Sequence, residues 1–146
     1  MPKLTINDIP LTQSDMMNRD HGEFIIILNR LIDLTNQTDG NNNNEIDSVL
    51  DDLKRHTEEH FAREEGLMVR ADFPPYAMHK GEHDRVLTML RDTITHWKLN
   101  RDRKVMNSLA NEQLPQWLLH HVATMDSITS QFLANHGVLE ETTLTP

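Results

Sequence analysis

The sequence predicts an all-α protein, an antiparallel up-down-up-down four-helix bundle, and three observations carry that prediction. Apolar residues recur at spacings of three and four in four long segments. Glycine (5) and tyrosine (1) are scarce, as expected where helices leave little room for turns and strands. No segment competes with a strand pattern, and clear breaks separate the four periodic stretches.

The first helix is predicted from a cap at Ser14 or Asp15 to about Thr38, with Met17, His21, Phe24, Leu28 and Leu31 on one stripe. It stops at Asp39-Gly40 and the four asparagines that follow, residues that compete for backbone hydrogen bonds. Asn44 is expected to cap the second helix, whose inward stripe is Ile46, Val49, Leu50, Leu53, His60, Leu67 and Met68. Phe73-Pro74-Pro75-Tyr76 ends it, since neither proline supplies an amide hydrogen. The third helix runs from about Ala77 to Leu99 with His79, His83, Val86, Leu90, Ile94 and Trp97 aligned. After the charged turn Asn100-Arg101-Asp102-Arg103, a final segment reaches Asn135, with Gly137 as its C-terminal cap. Pro115 lies inside that segment and predicts a kink, or a short helix followed by a longer one.

A chain of 146 residues fits one domain over 1–146, with the bundle at about 14–136, a short N-terminal arm and a C-terminal tail. The net charge of -9 argues against nucleic acid and anionic membranes as partners, because both demand a basic face. The absence of cysteine excludes disulfides, thiolate metal sites and cysteine nucleophiles. The apolar run Phe24 to Leu28 is too short to span a bilayer, and no secretory pattern is visible at the start, so a soluble cytoplasmic protein is expected.

Polar residues interrupt every apolar stripe, and nearly all of them are His, Asp or Glu. His60 and Glu64 are four apart on one helix, as are His79 and His83, so each pair projects side by side. His21 lies on the inward stripe of the first helix, and His121 shares that of the last with Trp117, Met125, Ile128 and Phe132. Asp126 follows His121 by five residues, which leaves the two about 140° apart on an ideal helix and calls for a local bulge or for ligands that reach around the axis. His120 is a rival to His121, but its helical neighbours Gln113, Gln116, Ala123 and Ser127 form a polar face. Each histidine alone reads as an ordinary core residue. Five imidazoles and two acids buried together without partners would be penalised by several kcal/mol each, and bound cations remove that penalty. The count exceeds one tetrahedral zinc and fits two metals bridged by carboxylates, with iron, zinc and manganese all suited to such donors.

The motifs His60-Phe61-Ala62-Arg63-Glu64-Glu65-Gly66-Leu67-Met68, His79-Lys80-Gly81-Glu82-His83, and Trp117-Leu118-Leu119-His120-His121-Val122 through Asp126 resemble the hemerythrins, in particular the single-domain bacterial ones. The resemblance covers about Asp15 to Phe132. It implies a diiron site in the bundle core, with His79, His83 and His121 on one iron and His21 and His60 on the other. Glu64, Asp126 and an oxo or hydroxo group would bridge the two irons, and dioxygen would bind reversibly at the open position of the two-His iron. A binding role in oxygen storage, delivery or sensing is therefore expected ahead of an enzyme acting on peroxide or nitric oxide, or a metal-dependent signalling bundle. No protein partner is implied.

Phe24, Leu28, Phe61, Leu67 and Met125 are the apolar candidates for the ligand pocket. The chain departs from the family in two places: it has no tryptophan before Trp97, and it reads Asn18-Arg19-Asp20-His21 where Asp-x-Gln-His is common. His56 stands where an aromatic residue is common and is read as stacking there, the rival being a hydrogen bond to a pocket ligand. Glu58, Glu59, Glu65 and Glu82 read as solvated, with Glu82 the candidate for contact with a ligand imidazole.

Overall fold

The computed structural model describes residues 3–37 and 41–138. Most of the predicted tail, and residues 38–40 of the first loop, lie outside them. Among the described residues there is no strand. Three long helices, α1 (Asp15–Thr35), α2 (Asn43–Arg70) and α3 (Tyr76–Asn100), are followed by a fourth rod assembled from α4 (Arg103–Ser108), α5 (Leu114–His121) and α6 (Ser127–Asn135). π-helical turns at Leu109–Gln113 and Val122–Asp126 join those three pieces. A short 3-10 turn, Ile6–Asp8, precedes α1.

Capping chemistry sets the helix ends. Ser14 caps α1, its hydroxyl accepting from the Met17 amide. The cap of α2 is Asn42 rather than the predicted Asn44, and its side chain does other work. Buried at the bundle end, Asn42 donates to the Leu34 carbonyl and the Gln37 side chain and accepts from Arg103, tying the first loop to the fourth rod.

α2 ends before the prolines rather than at them. Asp72 takes a left-handed conformation (φ 52°), the Phe73 amide donates to the Met68 carbonyl, and the Asp72 amide donates to that of Val69. That double bond is a Schellman motif, which satisfies carbonyls the helix leaves open. Gly137 (φ 69°) closes α6 in the same way, with Val138 bonded to Leu133.

Both anomalies of the fourth rod are resolved by π turns. Pro115 cannot donate to the carbonyl four residues back, and the turn just before it widens so that the Leu114 amide reaches the Leu109 carbonyl. The second turn inserts one extra residue after His121. Beyond it the inward residues are Asp126, Thr129, Ser130 and Leu133, while Ile128, placed on the inward stripe by simple periodicity, is 61% exposed.

Packing divides the interior into three layers. A large apolar cluster containing Leu28, Leu31, Leu50, Leu53, Leu90, Trp97 and Met106 fills one end. A smaller one, with Met16, Met17, Leu67 and Leu133, fills the other. On α1 and α2 the polar residues singled out by the sequence fall between members of the two clusters, as Asp126 does on the fourth rod. No helix of the described residues is long and apolar enough to cross a membrane.

Candidate metal centre

All seven predicted ligands are buried, none more than 7% exposed. They form two groups that share both carboxylates. One donor atom from each of Glu64, His79, His83, His121 and Asp126 falls within a 4.8 Å cluster, and so does one from each of His21, His60, Glu64 and Asp126. His120, the rejected rival, is exposed.

The sharing is carried by individual oxygens. Glu64 Oε1 lies 3.2 Å from His83 Nε2, whereas Oε2 lies 2.7 Å from His60 Nε2. Asp126 Oδ1 lies 3.1 Å from His121 Nε2 and 3.3 Å from His79 Nε2, whereas Oδ2 lies 2.9 Å from His21 Nε2. Each carboxylate thus presents one oxygen to a three-imidazole set and the other to a two-imidazole set. The second π turn makes this possible: its wider circuit brings His121 and Asp126, five apart, onto one side of the rod.

The donors fit cations better than they fit one another. Glu64 Oε1 and Oε2, Asp126 Oδ1 and the Nε2 atoms of His79, His83 and His121 are buried without a properly directed hydrogen bond. Buried polar atoms are almost always hydrogen-bonded; five of these orphans face the three-imidazole set and Glu64 Oε2 faces the other, donor sets that metal ions could complete.

Outer contacts orient the imidazoles. His60 Nδ1–H donates to Asp20 (2.8 Å), His83 Nδ1–H donates to Glu65 (2.9 Å), and His79 Nδ1 meets the Thr129 hydroxyl (2.8 Å). With Nδ1 held, Nε2 is left as the metal-facing atom. Glu65 is therefore not merely solvated, and Glu82 pairs with Arg85 instead of a ligand imidazole. Asp20, Thr129 and Thr57 escaped sequence reasoning altogether. The one available signal was that each sits beside or one turn from a predicted ligand.

His56 stacks parallel to His60 (4° between planes) and its Nε2 contacts the Asp20 carbonyl oxygen at 3.0 Å. It does not line the ligand cavity, and burial pushes its pKa down despite that backbone contact.

That cavity adjoins His21, His60, His121 and Asp126 and is walled by Phe24, Thr57, Phe61, Trp117 and Leu118. It offers a water-sized centre only about 10 Å³, room for roughly one water. Leu28, Leu67 and Met125, named as pocket candidates, do not line it, and Trp117, Thr57 and Leu118 replace them. Phe61 lies face to face on His83 (centroids 3.8 Å apart, 4° between planes), and Trp117 stacks on His121 (4.7 Å, 19°), so the wall also fixes the ligand rings.

Without metal, the layer holds together by sharing protons. Burial opposes a charged His60, but Glu64 and the bond to Asp20 outweigh it and raise its pKa to about 10. For Asp20, burial is likewise overcome by His60 and Arg63, and its pKa falls to about 2. Burial and the nearby Asp126 charge both push the Glu64 pKa up, and the His60 and His83 imidazoles still bring it below the usual value. A depressed carboxylate stabilises the fold above its unfolded pKa of ~4 and loses that effect as pH falls towards 2; a raised imidazole stabilises fully below ~6.5 and loses the effect as pH climbs to 10. Urea midpoints of metal-free protein should accordingly peak between about pH 4.5 and 6.5 and decline on both sides. A midpoint flat from pH 7 to 10 would contradict the His60 assignment.

Fold and site together define a four-helix bundle whose core holds a buried, histidine-rich donor cluster, two candidate metal sites that share two carboxylates. The comparisons give that class its family. Residues 12–144 match the hemerythrin HHE cation binding domain. The chain is 35% identical over 118 residues to a bacteriohemerythrin of Ralstonia nicotianae, covering 81% of this chain and 80% of that protein. It is 34% identical over 119 residues to one of Aquifex aeolicus, covering 82% and 88%. A wild-type hemerythrin crystal structure superposes with a TM-score of 0.77 over 92% of this chain and 98% of that one, at 21% identity, a likeness of fold. The chain belongs to the hemerythrin family, a family of diiron oxygen-binding proteins.

Proposed function

We propose that this protein binds dioxygen reversibly at a diiron centre in which His79, His83 and His121 hold one iron, His21 and His60 hold the other, and Glu64 and Asp126 bridge them. The observation that carries the reading is the asymmetry of the site. Both carboxylates divide their oxygens between the two imidazole sets, and the small cavity touches both imidazoles of the two-His set, the shared Asp126, and only His121 of the three-His set. The set with His21 and His60 also offers four donors against five in the other, so a metal held there would have the freer side for a ligand.

Two irons held by these residues would supply one electron each for the reversible reduction of dioxygen. The chain's own residues favour return over further reduction. Phe24, Phe61, Trp117 and Leu118 keep bulk water out, and the space beside His21 and His60 is too small for a cluster of waters. Thr57 commits its hydroxyl hydrogen to the Leu53 carbonyl (2.7 Å), and the Trp117 indole is too weak an acid to deliver a proton. A pocket poor in protons disfavours release of reduced oxygen, which an enzyme acting on peroxide would need to promote.

Metal analysis with absorption spectroscopy tests this. Protein purified in air should hold two irons per chain and show bands of an oxo-bridged diferric pair. Anaerobic reduction should bleach them, and cycles of oxygen and argon should restore and remove an oxygenated spectrum. One metal per chain, or irreversible oxidation on first contact with oxygen, would refute the proposal.

A further inference from the structure

Asp20 stands immediately before a predicted ligand, yet its own side chain turns to a different one. It is 1% exposed, and its Oδ2 accepts three hydrogen bonds: from His60 Nδ1 (2.8 Å), Arg63 Nε (3.1 Å) and Arg63 Nη2 (2.9 Å). The backbone is held as well, since His56 Nε2 meets the Asp20 carbonyl oxygen at 3.0 Å. Successive residues of α1 thus place one imidazole in the polar layer and brace another across the helix interface. Its neighbour on the same side differs, because His21 Nδ1 is buried with no partner.

We propose that Asp20 is a positioning residue that sets the electron-donating strength of His60, and that Arg63 tunes it by competing for the same oxygen. The proposal rests on the diiron reading above. A carboxylate bonded to Nδ1–H draws that hydrogen towards itself and leaves more negative charge on Nε2, which stabilises the more oxidised metal. A guanidinium on the same oxygen withdraws part of that charge. Asp20 therefore lowers the reduction potential on the His21–His60 side, and Arg63 raises it.

The test compares wild type, D20N, R63Q and the double variant, each loaded with iron, by anaerobic spectroelectrochemical titration and by timed iron loss to a chelator. D20N should raise the potential and shed iron ~10–100-fold faster, the range seen when such outer partners are removed. R63Q should shift the potential the opposite way, and that shift should vanish in the D20N background. An equal R63Q shift in both backgrounds would mean that its charge acts directly through space and would overturn the coupling. D20N matching wild type in potential and in iron loss would overturn the proposal outright. Zinc-loaded R63Q offers a reading independent of oxygen chemistry and of D20N folding: the His60 Nδ1 proton resonance should move downfield from its wild-type position, and an unmoved resonance would count as failure. Wild type that takes up fewer than two irons would instead sink the diiron reading beneath it.

Discussion

Glu64→Ala should leave a folded chain unable to hold two irons. Glu64 is fully buried, and its two oxygens face opposite imidazole sets at 3.2 and 2.7 Å, so no other side chain can stand in for it. Removing it takes a donor from each metal at once, together with half of the carboxylate charge that offsets the cations. The expected result is at most one iron per chain by metal analysis, with the oxo-bridge absorption gone. His60 makes the metal-free variant informative too. With Glu64 absent its raised pKa loses its strongest support, and removing one partner of a buried ionic network typically destabilises by ~3–5 kcal/mol. Glu65→Gln is the matched control. Its side chain bonds His83 Nδ1 as an outer contact and supplies no donor to either metal, so two irons per chain should still be loaded even if they are released faster. A Glu64→Ala protein that kept two irons and their absorption would dismiss the bridging role.

The contrast between these two glutamates marks what was legible in the sequence. Glu64 announces itself because it lies four residues after His60 on a stripe otherwise made of isoleucine, leucine, valine and methionine. A charged residue at such a position has no cheap explanation. Glu65, next to it, projects from a neighbouring face that periodicity marks as solvent, and only the packing of α3 against α2 turns His83 towards it. Asp20 and Thr129 were hidden for a related reason: residues at the edge of a stripe are judged by their own helix, whereas their partners come from another. The fourth rod shows a different limit. Its five-residue gap between His121 and Asp126 and its internal Pro115 both conflict with an ideal α-helix, and each conflict marks a place where the backbone widens by one residue. The sequence signalled that something irregular had to occur there. It did not reveal that one added residue would redirect everything downstream, which is why Ile128 points outward and Thr129 inward.

Trp97→Ala should lower stability about as much as Glu64→Ala while leaving the metal content untouched. Trp97 is fully buried in the apolar end of the bundle, its indole N–H donates to Asp47 (2.9 Å), and the Arg101 guanidinium covers its ring at 5.1 Å while also bonding Asp47. Truncation opens a cavity among Leu, Ile and Met side chains and deprives Asp47 of one donor, for an expected loss of ~3–5 kcal/mol. Against a total of ~5–15 kcal/mol for a domain, that is a large share. Fourteen residues of α3 separate Trp97 from His83, about 21 Å at the helical rise. Perturbations so far apart usually add. Urea unfolding of metal-free and iron-loaded protein should therefore show the same drop in each, with two irons per chain retained in the folded variant. If the drop were much larger in the loaded protein, the apolar end and the metal layer would be coupled, and the ligands could not be treated as held by their own helices and outer contacts alone. Equal drops would mean that the hydrophobic end supplies the rigidity of the bundle, which lets the polar layer keep buried donors poised for metal at a stability deficit that metal binding itself then offsets.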